Sequence, residues 1–235
     1  MIIFSRKKLL FISTIIVASI FLYSSYPNFE KNLPTSSTPI SNHTIILDAG
    51  HGKPDGGAIG EDGTTFESDL NLDIVLKLKS LLECSNCTVL LTRSDENGIY
   101  DADNNTIRSQ KISDMKNRVS IANNSNAELF ISIHMNKIEQ SKYYGWQTFY
   151  KNSDKVSKDV AECIQTSLNH FLKRENSRTI KSISGIYLTK HVEIPLILIE
   201  CGFLSNPEEN KLLQTDKYQD ELAWSIYIGI MNYFK

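Results

Sequence analysis

Residues 195–201 read PLILIEC: a proline, four consecutive aliphatic residues, then Glu200 and Cys201. An unbroken apolar run of this length, with no polar alternation, is a strand buried on both faces. Such a strand belongs in the middle of a sheet that helices cover on each side. Two further runs share the pattern, residues 44–47 (TIIL) and residues 129–133 (LFISI). Each leads into residues able to do chemistry: TIIL into Asp48 and then His51, LFISI into His134, and PLILI into Glu200.

Working outward, helical stripes separate the strands. Leu70, Ile74, Val75, Leu78, Leu81 and Leu82 recur at helical spacing over 66–82. Similar stripes run over 112–123 (Ile112, Met115, Val119, Ala122) and 154–173 (Val156, Val160, Ala161, Ile164, Leu168, Phe171). Residues 88–92 (TVLLT) form another strand, and residues 147–150 and 186–188 read as short ones. Asn206-Pro207-Glu208-Glu209 starts a helix: an Asn cap, Pro at the first position, and acids at the positive end of the dipole. A last helix spans about 216–233. Residues 94–111 are polar and rich in Asn and Asp, a loop length usually reserved for function. The alternation predicts an α/β fold of three layers around a mostly parallel sheet, as a single domain.

The chain has 235 residues, 41% apolar and 22% charged, with a net charge of −2. These values exclude a disordered tail, a collagen-like fibre and a multi-span membrane protein. They also exclude a nucleic-acid binder that relies on bulk positive charge. The charge is unevenly placed. Arg6, Lys7 and Lys8 precede an uncharged apolar run over 9–26, and all 27 acids follow it. Residues 1–27 therefore read as a signal sequence or membrane anchor that puts an acidic body outside the cytoplasmic membrane. Tyr23-Ser24-Ser25-Tyr26 is a poor cleavage site, so both versions stay open. Residues 28–43, rich in Ser, Thr, Pro and Asn, read as a linker. Residues 44–235 form the folded domain.

Cys84 and Cys87 form a single Cys-x-x-Cys. It lacks the second pair that a structural zinc site needs. It also ends a helix, whereas a redox motif opens one. It reads as a helix-to-strand connection with room for a local disulfide. Cys163 and Cys201 read as buried thiols.

In an open α/β sheet, ligands bind beyond the C-terminal ends of the strands. Asp48 and His51, Glu67 at the start of the first helix, His134 and Glu200 all fall there. Two His and one carboxylate make a catalytic zinc set that leaves a position for water. A further carboxylate can act as base. Each residue also has a plainer reading. A strand-end His can bond a loop, and Glu67 can be a first-turn acid favoured by the dipole. Glu200 is harder to dismiss, because a carboxylate at the end of a buried strand is costly unless it is paired or bound to metal. Asp48 bonds the other ring nitrogen of a ligating His, or else stabilises the loop.

The motifs IILDAGHG, Gly60-x-x-x-x-x-Phe66-Glu67, LLTR, Arg118-x-x-x-Ala122-Asn123, ISIHMN and LIECGFLSN occur in this order. They resemble those of the zinc-dependent N-acetylmuramoyl-L-alanine amidases with a His-Glu-His zinc site. The resemblance spans about 44–235. It implies Zn2+ on His51, Glu67 and His134, with Glu200 as the catalytic carboxylate. It also implies a six-stranded sheet and cleavage of the amide between the lactyl group of N-acetylmuramic acid and L-Ala in peptidoglycan. The short body, leader, GIYD and SDMKNR look most like the sporulation and germination amidases of endospore formers. Those act in spore cortex, where muramic-δ-lactam forms, which points to the forespore intermembrane space. An accessory activator protein is a further implied partner. Ser68 and Met135 depart from the usual Lys and small residue at their positions. The alternatives are a zinc peptidase cutting within the stem peptide, or an inactive wall-binding scaffold. Tyr143, Tyr144 and Trp146 are read as sugar-packing or simply covering aromatics. The groove is expected to be bordered by 94–111 and 137–144.

Overall fold

The computed structural model describes residues 38–235, together with residues 15–17 and 19, which are helical. The rest of the expected leader and linker lies outside the described residues. Thr38–Lys235 is one compact unit. It begins ahead of the first strand, with Ile40 fully buried and the Thr38 hydroxyl donating to the Ser85 carbonyl.

Among the described residues, six strands form one sheet. They are β1 (Thr44–Ala49), β2 (Thr88–Leu91), β3 (Leu129–Asn136), β4 (Gln147–Lys151), β5 (Lys181–Ile183) and β6 (Leu196–Phe203). The helices are α1 (Glu67–Glu83), α2 (Ile107–Asn123), α3 (Lys155–Phe171), α4 (Tyr187–His191), α5 (Pro207–Leu213) and α6 (Asp216–Tyr233). The strand order is β2-β1-β3-β6-β4-β5. Strands β2, β1, β3 and β6 are mutually parallel. β4 pairs antiparallel with β6, and β5 runs parallel to β4.

The apolar runs earn their central place through the two-residue period of a strand. Ile45, Leu47, Ile131, Ile133, Ile197 and Ile199 face one way, into a core shared with α1, α3 and α6. Ile46, Phe130 and Leu196 face the other way, against Ala122 of α2 and against Leu188 and Val192. Both faces are covered at these positions, so the apolar runs carry no polar alternation there. This is the three-layer, mostly parallel arrangement that the sequence implies.

Three local readings need correction. Helix α2 begins at Ile107, inside the stretch expected to be loop. Thr106 and Ser109 cap each other's backbone there, and the first turn faces outward, so no apolar stripe announces it. The strand expected over 186–188 is instead the start of α4. The strand at this place is β5, whose polar KSI lies at the sheet edge and pairs only with β4. All four cysteines carry free thiols, and Cys163 is half-buried rather than buried. The helix-to-strand reading of Cys84 and Cys87 holds. So does the Asn206 cap, whose side chain accepts from the N–H groups of Glu208 and Glu209.

Candidate active site

The parallel strands bring their C-terminal ends to one edge. Asp48, Ser132, His134 and Glu200 all project from the sheet face that α2 and α4 cover. His134 and Glu200 are register partners on neighbouring strands. Glu67 opens α1 as a first-turn acid, and its carboxylate is turned into the site. It is 4% exposed. Its Oε2 accepts the N–H of Ala58 (2.8 Å), and its Oε1 accepts the N–H of Met135 (3.1 Å). Oε1 also lies 2.9 Å from His134 Nδ1 and 3.3 Å from His51 Nε2. One ligand atom from each of His51, Glu67 and His134 therefore falls within 4.8 Å of the others, a group that could hold a metal ion.

The loop after β1 is rich in glycine because backbone must approach rings. A Cβ on Gly50 would lie 2.2 Å from His134 Cε1. Gly57, at φ +68°, would push a Cβ against the Glu67 carboxylate and the His51 ring. His51 itself takes φ +63°, an uncommon conformation for a residue with a side chain. Two buried arginines hold it there. Arg118 donates to the carbonyls of Ala49 and His51, and Arg93 donates to those of Ala49, Gly50 and Ser68.

Asp48 does not bond a histidine. It is fully buried and accepts from Arg118, Thr92 and Ser132. Burial opposes its charge, but Arg118 and these donors hold its pKa below the usual value. The plainer reading of Asp48, loop support, is the one the geometry fits. Asp55 is the carboxylate at the ring: its Oδ2 is 3.0 Å from His51 Nδ1. Sequence reasoning missed it because the turn that brings it back on His51 is not visible in spacing.

Electrostatically the groups are pushed apart. Burial works against charge on His51, yet hydrogen bonds to Asp55 and Glu67 carry its pKa up to about 9. Burial opposes the Glu67 charge too, but His134 and His51 hold that carboxyl well below the carboxylate range. Glu200 moves the other way: burial pushes it up to about 7. Its Oε2 is buried without a hydrogen-bond partner among the described residues.

These groups open on a cavity of about 440 Å³ lined by His51, His134 and Glu200 with Tyr100, Lys111 and Tyr187. The 94–111 segment borders it as expected. The 137–144 segment does not. Its Tyr143 and Tyr144 line a separate cavity with Arg178. Trp146 is fully buried, and its Nε1 donates to Asn169, so it covers the core and packs no ligand.

An N-acetylmuramoyl-L-alanine amidase family model matches residues 45–232. The chain belongs to that family. It is 39% identical to a germination-specific N-acetylmuramoyl-L-alanine amidase of Bacillus subtilis, over 97% of this chain and 96% of the relative. A solved structure of the CwlD amidase from Clostridioides difficile, in complex with the GerS lipoprotein, superposes with a TM-score of 0.80 at 50% identity. That match covers 82% of this chain and 98% of that one. The catalytic domain of the CwlV amidase from Bacillus (Paenibacillus) polymyxa matches at 29% identity and TM-score 0.70, covering 81% and 97%. The chain is therefore an amidase by family, and the peptidase and scaffold alternatives give way to that reading.

Proposed function

We propose that the chain cleaves the amide between the lactyl group of N-acetylmuramic acid and the L-Ala of the stem peptide in spore-cortex peptidoglycan, outside the cytoplasmic membrane. The observation that carries the reading is the meeting of two imidazoles and two carboxylates of opposite character at one sheet edge. The spore setting is supported by the germination-specific relative. An accessory protein is supported by the lipoprotein complex of the CwlD amidase.

In this reading His51, Glu67 and His134 would hold Zn2+. The donor set fits: two imidazole nitrogens and one carboxylate oxygen suit zinc and leave a position open. The unpartnered Oε2 of Glu200 fits as well, since a buried carboxylate oxygen needs a polar partner and Glu200 lines the same cavity as His51 and His134. When bound, zinc supplies Lewis acidity toward the amide carbonyl and toward water. Asp55 keeps the Nδ1 proton of His51 and leaves Nε2 free to ligate. Glu67 is fixed through its second oxygen by the Ala58 N–H. Glu200 takes a proton from the attacking water, and its poorly solvated carboxylate is readily protonated. It then delivers that proton to the nitrogen of the departing L-Ala.

The test separates the two kinds of role. Glu200→Gln should retain metal and lose on the order of 10²–10⁴-fold in rate, the usual worth of general acid–base catalysis. His51→Ala and His134→Ala should lose metal. Parent-rate hydrolysis by Glu200→Gln, or full metal content in both His variants by elemental analysis, would contradict the assignment.

A further inference from the structure

We infer that Lys111 is a positioning residue for the metal site, acting through Asp55 on the ring of His51. The inference rests on the ligand reading above and deepens it. His51 reaches the site from a loop, not from a strand, and its ring is set by one side-chain contact outside the ligand group, Asp55 Oδ2 at 3.0 Å. A carboxylate can orient an imidazole only if the carboxylate itself is held. The other oxygen of Asp55, Oδ1, has two donors: the N–H of Gly57 at 3.2 Å and the Lys111 ammonium at 2.8 Å. The Gly57 contact comes from the same loop and moves with it. Lys111 comes from α2, a separate element, so it ties the loop carboxylate to the body of the fold.

The same helix grips the same loop elsewhere. Arg118 donates to the carbonyl of His51, and Asp114 accepts the N–H of Ile99, in the segment that bonds back to Lys53. Asp114, Arg118 and Lys111 stand three or four residues apart, so they share one helical face turned to the loop. Arg118 fixes the backbone of His51, and Lys111, by way of Asp55, fixes its ring. Lys111 also lines the cavity and is half-exposed.

Outer partners of metal ligands typically change metal affinity by 10–100-fold when removed. Lys111 stands one contact further out, so Lys111→Met in the full chain should weaken zinc binding by several-fold to about tenfold, read by competition with a chelator. Lys111→Arg should restore most of it. Asp55→Ala should cost more, and adding Lys111→Met to Asp55→Ala should cost nothing further, because the lysine acts only through that carboxylate. Zinc affinity within twofold of the parent in Lys111→Met would overturn the inference, as would losses that simply add in the double variant. His134→Ala serves as the control on the underlying reading. If it binds zinc as the parent does, the ligand set itself falls. If it loses zinc while Lys111→Met does not, only the role of Lys111 falls.

Discussion

Glu200 holds a carboxylate where water cannot solvate it well and where, among the described residues, no donor meets its Oε2. Its pKa rises from the ordinary 4.5 to about 7, first through burial, with Glu67 adding to the rise and His134 opposing it. Between those values the folded state holds a proton that the unfolded chain has released. Stability therefore falls as pH rises from about 4.5 to about 7 and is not regained above it. In the metal-free protein, Glu200→Gln should raise stability at pH 8 by on the order of 3 kcal/mol, an advantage that vanishes near pH 4. Thermal melts at the two pH values check this, and a lower Tm for the variant at pH 8 would contradict it. His51, His134 and Glu200 were legible because each follows an apolar run, and Glu67 because it opens the first helical stripe. Asp55 was not, because its approach to His51 depends on a turn through a residue with positive φ.

At the scale of elements, the site depends on how α2 docks on β1. Arg118 is buried and bridges Asp48 on the strand and Asp114 on its own helix. Removing it leaves a fully buried carboxylate without its cation, a loss of about 3–5 kcal/mol. Arg118→Ala should lower the urea midpoint accordingly, and Arg118→Lys should not rescue it, since one ammonium cannot reach Asp48, Asp114 and two carbonyls. A second element-scale prediction concerns the pairing of α3 with α6. Gly229 should gain roughly 1 kcal/mol of helix propensity as Ala. Yet its Cβ would lie 2.5 Å from the Ile164 backbone Cα, and such overpacking costs about 1–3 kcal/mol. Gly229→Ala should be neutral to destabilising in the same urea titration; a clear gain would show that the helices separate easily. The elements read correctly from sequence are those buried on one or two faces. Missed were the start of α2, whose first turn has a cap but no apolar stripe, and β5, an edge strand that needs no apolar run.

At the scale of the molecule, one sheet covered on both faces carries His134 and Glu200 to a single edge, where the loop after β1 and the start of α1 bring His51 and Glu67. Four strands agree in direction there, and the antiparallel β4 and β5 only extend the sheet. Three-layer packing was readable from the continuous apolar strands alone. The borders of the cavity were half readable: the polar segment before α2 reaches it, whereas the aromatic segment after His134 turns away to a cavity of its own. Nothing in the spacing of Tyr143, Tyr144 and Trp146 distinguishes a core tryptophan from an exposed one.

What defines this enzyme is the bond that is cut. Mass spectrometry of peptidoglycan digested by the full chain with Zn2+ tests it directly. The predicted products are intact stem peptides with a free L-Ala amino terminus and glycan strands with bare lactyl groups, both lost when a chelator removes the metal. Fragments cut within the stem, with L-Ala still attached to muramic acid, would contradict it.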